Sequence, residues 1–322
     1  MKRLGLVLVA LVLLAVVGLV TAQSFLGEAT IDEETPFIVP SGATLTSVAG
    51  DLEESGHITS ADGLLMYARL FGSDDPIQAG EFRLRPEMSQ GDLLDAFQSG
   101  DVIRRFVTVP EGMPSLLVYE RLMAEELLTG DIEVPEEGSI LPDTYSFERG
   151  QSRGEIVARM QAAMDEYLAQ AWEQRSENTA VDTKEEALVL ASIVEKETAL
   201  AEERPMVAGA LSNRVRIGMM LGADATTIYP ITKGKPLGRR IRVSELRDPN
   251  PYNTRAVAGL PPGPITNPGR EAIAAVLDPA ETDALYYVAD GSGGHAFAAT
   301  LAEHNANVAK WRAIRRERGE LD

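Results

Sequence analysis

The sequence contains no cysteine and only three histidines, His57, His295 and His304. Without cysteine, neither a disulfide nor a thiolate nucleophile is possible. An exported chain of this kind must then rely on its hydrophobic core for stability. No pair of histidines has the spacing of a His-Glu-x-x-His motif, which argues against a catalytic zinc site. We therefore expect no metal and no organic cofactor.

Positive charge is also scarce. The chain has 30 lysine and arginine residues against 49 aspartate and glutamate residues, a formal net charge of −19. Such a surface repels the phosphates of nucleic acids. No basic stripe with interleaved aromatic residues offsets this charge. Nucleic acid is therefore excluded as an expected partner.

A long uncharged segment, Leu4 to Ala22, follows Met1-Lys2-Arg3. A helix of this length crosses the hydrocarbon core of a membrane, and the preceding positive charges favour an N-terminus in the cytoplasm. We expect residues 1–22 to form a transmembrane anchor. The alternative is a cleaved signal peptide with a small-residue site at Val20-Thr21-Ala22. Both interpretations export the rest of the chain.

Changes in composition divide the exported part into four segments: an acidic tether at 23–36, a first module at 37–105, a connecting α/β region at 106–183 and a last region at 184–322. Residues 37–105 show the pattern strand, helix, helix, strand, helix, with Ser89 predicted to cap the third helix. Residues 184–322 show a helix ending near Glu197, a second helix, a long stretch rich in glycine and proline, a short strand and a closing helix. The fold class expected is α+β.

Two glutamates follow an apolar run at the end of one predicted helix. Ala187 to Val194 is apolar apart from Ser192, and Glu195 and Glu197 come directly after it. Burial would raise the pKa of such a carboxyl group and keep it protonated, ready to donate a proton. Residues two apart on a helix point about 200° from each other, so only one glutamate can face a given cleft. Spacing alone does not say which, and both could equally be solvated beside Lys196.

Several downstream polar and aromatic residues are candidate substrate ligands. The proline-rich loop from Gly259 to Ile265 is neither helix nor central strand, because prolines break both, and stiff loops commonly line binding sites. Each residue alone is more typical of a turn or a core contact. Together they suggest a groove that suits a sugar chain. The candidates are Asn213, Arg214, Asp224, Thr226, Tyr229, Tyr252, Asn253, Thr254, Pro262 and His295.

Eight long motifs follow one another in a fixed order along the chain: GEFRLRPEMS (80–89), LPDTYSF (141–147), ASIVEKETA (191–199), SNRVRIGM (212–219), Asp224 with TTIY (226–229), PYNT (251–254), GLPPGPITNPG (259–269) and YYVADGSGGHAF (286–297). They resemble those of the YceG/MltG-like endolytic murein transglycosylases. The similarity covers nearly the whole chain and extends to the N-terminal anchor. It departs at Gly222-Ala223, where the family has Gln-Thr, and at Ala225, where it has Pro, which weakens any substrate contact by these side chains.

The resemblance implies a LysM-like domain at 37–105 and a mixed α+β catalytic domain at 184–322, with Glu197 as catalytic acid/base and Glu195 in a supporting role. It implies cleavage of the MurNAc–GlcNAc bond in nascent peptidoglycan strands, which leaves 1,6-anhydroMurNAc ends and terminates elongation. It also implies a single-pass protein of the inner membrane, with its catalytic part in the periplasm and peptidoglycan synthases as partners.

Two alternatives remain open. A hydrolytic muramidase would use Glu197 with Asp224 and water, and would leave reducing ends, since glycoside hydrolysis usually needs two carboxyl groups. A transglycosylase needs one, because the 6-hydroxyl group of the muramic acid is the nucleophile. The second alternative is a non-enzymatic peptidoglycan-binding scaffold of the wall-synthesis machinery, which would function without Glu197.

Overall fold

The structure, a computed structural model, describes residues 29–320 together with Val12, Leu13, Val16 and Gly18. The rest of the expected anchor at 1–22, and residues 23–28, lie outside the described residues. Across the described part of the chain, no helix has both the length and the apolar character needed to span a membrane. The chain divides into two compact units, Met1–Arg105 with Ser146–Arg149, and Phe106–Tyr145 with Gly150–Asp322.

The first unit packs three helices with a two-stranded antiparallel sheet. Strand β1 pairs with β2 so that Phe37 lies opposite Phe82, and both rings contact Phe97 in the core. Ser89 accepts a hydrogen bond from the backbone N–H of Asp92, which confirms the predicted helix cap. The elements are β1 (Thr35–Val39), α1 (Leu45–Glu54), α2 (Ala61–Phe71), β2 (Gly80–Leu84) and α3 (Gln90–Ser99).

Residues 29–36, expected from the sequence to belong to a tether, are packed into the first unit. Ala29 forms a β-bridge with Ile58, and the Thr30 hydroxyl donates to the carbonyl of Gly56 at 2.6 Å. Ile31 is only 5% exposed. The segment is acidic in composition, so the sequence does not indicate that Ile31 is buried. Burial of the Ile31 side chain contributes about 1.5–3 kcal/mol to the free energy of unfolding.

From residue 105 to residue 317 the chain is mainly helical, with two small sheets. Strand β3 (Arg105–Thr108) pairs with β4 (Thr144–Phe147), and β5 (Tyr286–Ala289) pairs with β6 (His295–Ala298) in an antiparallel hairpin. The elements are β3 (Arg105–Thr108), α4 (Ser115–Met123), β4 (Thr144–Phe147), α5 (Arg153–Glu173), α6 (Lys184–Glu197), a 3-10 turn (Ala201–Glu203), α7 (Arg204–Arg216), α8 (Asp224–Thr232), α9 (Val243–Leu246), α10 (Arg270–Leu277), β5 (Tyr286–Ala289), β6 (His295–Ala298) and α11 (Leu301–Glu317). The expected α+β class is confirmed.

Helix α6 lies at the centre of the second unit. It contacts α5, α7, α8 and α10, and Val189 to Val194 are all buried. A helix that is apolar on all sides is typical of a protein core. The helix ends at Glu197, as its sequence pattern predicts. The carboxyl group of Glu197 therefore lies at the edge of the core.

Most of the segment that the sequence analysis separates from 184–322, namely residues 106–145 and 150–183, lies in the same compact unit as that region. Buried Asn267 joins the two segments. Its Oδ1 accepts a hydrogen bond from the backbone N–H of Ile140 at 3.0 Å, and its Nδ2 donates to the carbonyl of Met113 at 2.9 Å. These long-range bonds have no signature in local composition.

Gly209 in α7 provides a test of the packing around helix α6. A Cβ atom at this position would lie 2.6 Å from the carbonyl oxygen of Ala280. Glycine to alanine within a helix is normally stabilising, but here we expect Gly209→Ala to lower the free energy of unfolding by about 1–3 kcal/mol through overpacking. Urea denaturation followed by tryptophan fluorescence reports on this unit, because Trp172 and Trp311 both belong to it.

The matched control is Gly154→Ala in α5, where the added Cβ would meet Ser152 at an ordinary contact distance of 3.4 Å. We expect this control to leave the free energy of unfolding unchanged or slightly higher. An equal loss in both variants would contradict the packing described for Gly209.

Candidate functional site

Three consecutive side chains leave the end of helix α6 in different directions, about 100° apart. Glu195 Oε2 accepts a hydrogen bond from the backbone N–H of Gly269 at 2.9 Å. Lys196 Nζ donates to the carbonyl of Gly112 at 3.4 Å. Glu197 Oε2 accepts from the Tyr287 hydroxyl at 2.8 Å. Each residue therefore has a separate environment.

Glu197 is half-buried, and its pKa is raised above the ordinary value of 4.5. Burial is the largest cause, and the nearby negative charge of Asp224 acts in the same direction. The hydrogen bond from Tyr287 and the charges of His295 and Arg255 act against it. The C-terminal end of a helix is also the negative end of its dipole, which disfavours an ionised carboxylate. The carboxyl group of Glu197 thus stays neutral to a higher pH than an ordinary glutamate.

The β5–β6 hairpin covers Glu197 with aromatic side chains. Tyr287 lies opposite Phe297, and Ala289 opposite His295, so Tyr287 and His295 project from the same face of the hairpin. Their rings meet edge to face with centroids 5.6 Å apart. Burial and the neighbouring Glu197 raise the pKa of Tyr287 well above its ordinary value. The phenol therefore remains protonated and available as a hydrogen-bond donor.

His295 is held by Glu203, which the sequence analysis does not single out. The carboxylate accepts hydrogen bonds from the backbone N–H of His295 at 2.7 Å and approaches its Nδ1 at 2.8 Å. A Cβ atom at Gly294 would lie 2.4 Å from Oε1 of Glu203. The second glycine of the GGH motif is thus required for this close approach of strand and carboxylate.

Glu195 belongs to a buried ionic cluster rather than to the surroundings of Glu197. Its side chain is 6% exposed and lies 3.8 Å from Arg204 Nη2. Arg204 also pairs with Glu111 at 3.0 Å and with Glu271. Burial raises the pKa of Glu195, and the Gly269 N–H and Arg204 partly offset this rise. The contacts separate two glutamates that are equivalent in the sequence.

Asp224 is the first residue of α8 and is mainly exposed, with 58% of its side chain accessible. Its Oδ1 lies 2.5 Å from Nε of Arg255 in an ion pair. Arg255, which follows the PYNT motif, is a further residue that the sequence analysis does not single out. Both charges act on Glu197, so they form the charged side of its surroundings.

Three predicted ligands use their polar groups inside the protein. The hydroxyls of Thr226 and Thr254 lie 2.7 Å apart in the core. Asn253 Oδ1 accepts from the Thr227 hydroxyl at 2.8 Å, while its Nδ2 donates to three backbone carbonyls, the nearest being that of Asp248 at 2.8 Å. In these contacts the PYNT motif fastens its loop to helix α8.

Asn213 and Arg214 fasten the segment before β5. Asn213 Nδ2 donates to the carbonyls of Thr282 and Ala284 at 2.8 and 3.0 Å. Arg214 Nε donates to the carbonyl of Leu285 at 2.6 Å, and its guanidinium lies 5.6 Å from the centre of the Tyr287 ring. Arg214 therefore supports the ring that contacts Glu197.

Tyr229 and Tyr252 form an aromatic pair with ring centroids 5.0 Å apart. Tyr229 also hydrogen-bonds Glu137, whose pKa is raised by burial. Pro262 is exposed in the proline-rich loop, and Ile265 of that loop donates its backbone N–H to the Ser192 hydroxyl in α6 at 3.1 Å. The loop is thus attached directly to the helix that carries Glu197.

The structure brings Glu197, Asp224 and His295 into one electrostatic environment. It does not show a polar group of Asn213, Thr226, Asn253 or Thr254 that is free of protein partners, and their role as substrate ligands stays a prediction. Tyr287 could have been found from the alternation of YYVA and HAF, which places it on the face of His295. Glu203 had no such signal, because it binds His295 from 92 positions away.

No group of three or more histidine, aspartate or glutamate residues within the described part of the chain is arranged to hold a metal ion. The second unit is instead an α+β domain whose site presents one half-buried carboxyl group at a helix end. The chain belongs to the YceG-like family, whose model matches residues 37–310.

Known proteins resemble this chain over most of its length. The endolytic murein transglycosylases of two strains of Streptococcus pneumoniae are each 29% identical over 84% of this chain, and the one of Bacillus subtilis is 26% identical over 87% of it. The chain spans 57% of the length of the streptococcal relatives and 85% of the Bacillus relative. A crystal structure of a YceG-like protein from Listeria monocytogenes matches 86% of the chain with a TM-score of 0.54 and 25% identity.

The raised pKa of Glu197 predicts a pH-dependent stability difference between the wild type and Glu197→Gln. A carboxyl group whose pKa is raised on folding contributes stability that is complete below the ordinary value of 4.5 and is lost as pH rises through the folded value. The glutamine variant has no such loss. We expect its stability relative to the wild type, measured by urea denaturation at a series of pH values, to increase as the pH rises above 4.5.

Glu185→Gln, at an exposed position on the same helix, is the control and should show no comparable gain. A relative stability of Glu197→Gln that falls with rising pH would mean that Glu197 is ionised in a favourable environment.

Proposed function

We propose that this chain is an endolytic peptidoglycan lytic transglycosylase, with Glu197 as its single catalytic acid/base. The observation that carries the proposal is the half-buried carboxyl group of Glu197, whose pKa is raised by burial and whose Oε2 accepts a hydrogen bond from Tyr287. The names of the relatives support the same activity. The substrate is then the MurNAc–GlcNAc bond of nascent glycan strands.

The reaction needs no water and no second carboxyl group. Neutral Glu197 donates its proton to the glycosidic oxygen while the bond from that oxygen to the anomeric carbon of the muramic acid breaks. The 6-hydroxyl oxygen of the same muramic acid forms a bond to the anomeric carbon, and its proton passes to the Glu197 carboxylate. The enzyme returns to its neutral form, and the product carries a 1,6-anhydro end.

A hydrolytic muramidase would need a second carboxylate near Glu197. Asp224 is the candidate, because its charge raises the pKa of Glu197. Its ion pair with Arg255 and its exposure argue against a nucleophile. We assign it a positioning role. A muramidase, which would need Asp224 to activate water, is the second candidate.

We propose that some of the predicted ligands contact the substrate directly and that others act by holding the loops of the site in place. His295, Tyr252 and Pro262 offer rings and an exposed turn to a sugar chain, because aromatic faces suit the apolar faces of sugars. Tyr229 is 9% exposed and packs against Tyr252, so its proposed role is to support that ring. Asn213, Arg214, Thr226, Asn253 and Thr254 shape the groove through the loops that they fasten.

The location and partners follow from the family resemblance. We propose that residues 1–22 anchor the chain in the inner membrane, that residues 37–105 are a LysM-like module for peptidoglycan, and that the catalytic part lies in the periplasm beside peptidoglycan synthases. The net charge of −19 is compatible with a glycan substrate rather than a polyanion.

The test incubates the full chain with uncrosslinked glycan strands and identifies the new ends by mass spectrometry. We expect anhydromuramic ends, each lighter by one water than a hydrolysed end. Glu197→Gln should reduce cleavage by at least about 100-fold, the contribution of a general acid, whereas Glu185→Gln should cleave normally. Reducing ends would favour the muramidase, and activity retained in Glu197→Gln would refute the assignment of the acid.

A further inference from the structure

The hydrogen bond between Tyr287 and Glu197 has a direction that the structure determines. Among residues 29–320, the Tyr287 hydroxyl makes one hydrogen bond, to Glu197 Oε2 at 2.8 Å. Its hydrogen has no other acceptor there, and a buried hydroxyl hydrogen left without a partner costs about 1–3 kcal/mol. The hydroxyl therefore donates to Oε2.

We propose that Tyr287 is a positioning residue that places the acidic proton of Glu197 on Oε1, the oxygen presented to the substrate. In a neutral carboxyl group, one oxygen carries the hydrogen and the other acts as an acceptor. Because the carbonyl oxygen of a neutral carboxyl group is the better acceptor, a hydrogen bond donated to Oε2 favours the form with the proton on Oε1. The role in cleavage rests on the proposed function, whereas the location of the proton does not.

Oε1 is free to meet a substrate. Within the described residues it makes no hydrogen bond, whereas Oε2 accepts from Tyr287. Glu197 is half-buried, and its Oε1 is not among the buried polar atoms that lack a partner. A proton on this oxygen is therefore not held by a hydrogen bond to another group within residues 29–320.

Three side chains from two elements keep the Tyr287 ring in place. The Arg214 guanidinium of α7 lies 5.6 Å from the ring centre, and Phe297 of β6 lies at 6.1 Å. His295 meets the ring edge to face and is itself held by two contacts with Glu203. This support explains why Glu203, remote in sequence, approaches the strand at Gly294 so closely.

The charged groups around the pair belong to several elements. The pKa of Glu197 is affected by the charges of Asp224 in α8, Arg255 in the loop after α9 and His295 in β6, and Lys196 precedes Glu197 in α6. The pKa of Tyr287 is affected by the charges of Arg214 and Arg255. None of these replaces the Tyr287 hydroxyl as a partner of Oε2, because no other hydrogen bond to Glu197 is made within residues 29–320.

The experiment compares Tyr287→Phe with Tyr286→Phe in the full chain. Tyr286 is the adjacent tyrosine on the opposite face of β5, stacked on His304 at 5.2 Å, so the control removes the same atom without touching Glu197. For Tyr287→Phe we expect kcat to fall about 10- to 100-fold, because the acidic proton of Glu197 is no longer oriented toward the substrate. We expect little change in KM, because the variant does not remove a group that binds the substrate. The control should retain the wild-type kcat.

A second readout follows the carbon-13 carboxyl signal of Glu197, identified by its loss in Glu197→Gln. The Tyr287 hydrogen bond favours the carboxylate, so its removal should move the Glu197 titration to a higher pH. Tyr286→Phe should titrate like the wild type.

Unchanged kcat and an unchanged titration in Tyr287→Phe would overturn the proposal, as would equal losses of kcat in both variants. If the wild type cleaves no glycan, the proposed function fails, and the titration then tests the hydrogen bond that Tyr287 donates to Glu197: an unchanged titration would overturn it. A titration that moves to lower pH would show that the tyrosine accepts from Glu197 instead of donating.

Discussion

The end of helix α6 imposes the constraint on which the rest of the site depends. Successive side chains leave a helix about 100° apart, so Glu195, Lys196 and Glu197 cannot share one environment. Glu195 joins the ionic cluster of Arg204, and Lys196 reaches Gly112. Only Glu197 meets the β5–β6 hairpin. The direction in which each side chain leaves the helix thereby separates the carboxyl group of the ionic cluster from the one that we propose as the catalytic acid.

The same core that stabilises the second unit creates the unfavourable position of Glu197. Helix α6 is buried from Val189 to Val194, and its last turn carries the carboxyl group out of that core at the negative end of the helix dipole. Burial of an ionisable group is unfavourable for its charged form. The proposed chemistry uses this cost, because a neutral carboxylic acid is the form that donates a proton.

Local features of the fold could be predicted from the sequence, whereas contacts between distant segments could not. The apolar run before Glu195 predicts a buried helix with its end near Glu197, and Ser89 marks a helix start. The partners Tyr287 and Glu197 are 90 positions apart, and no periodicity connects them. Nor does the identity of a motif residue tell whether its polar group faces a cleft. Asn253 uses its amide to close a loop.

The pH dependence of kcat/KM for the wild type on uncrosslinked glycan strands tests the central claim most directly, since it reports the ionisation of essential groups in the free enzyme. If neutral Glu197 is the acid, the rate falls as pH rises through one ionisation above the ordinary glutamate value of 4.5. A rate that instead rises across this range and levels off once glutamate is ionised would show that Glu197 acts as a carboxylate.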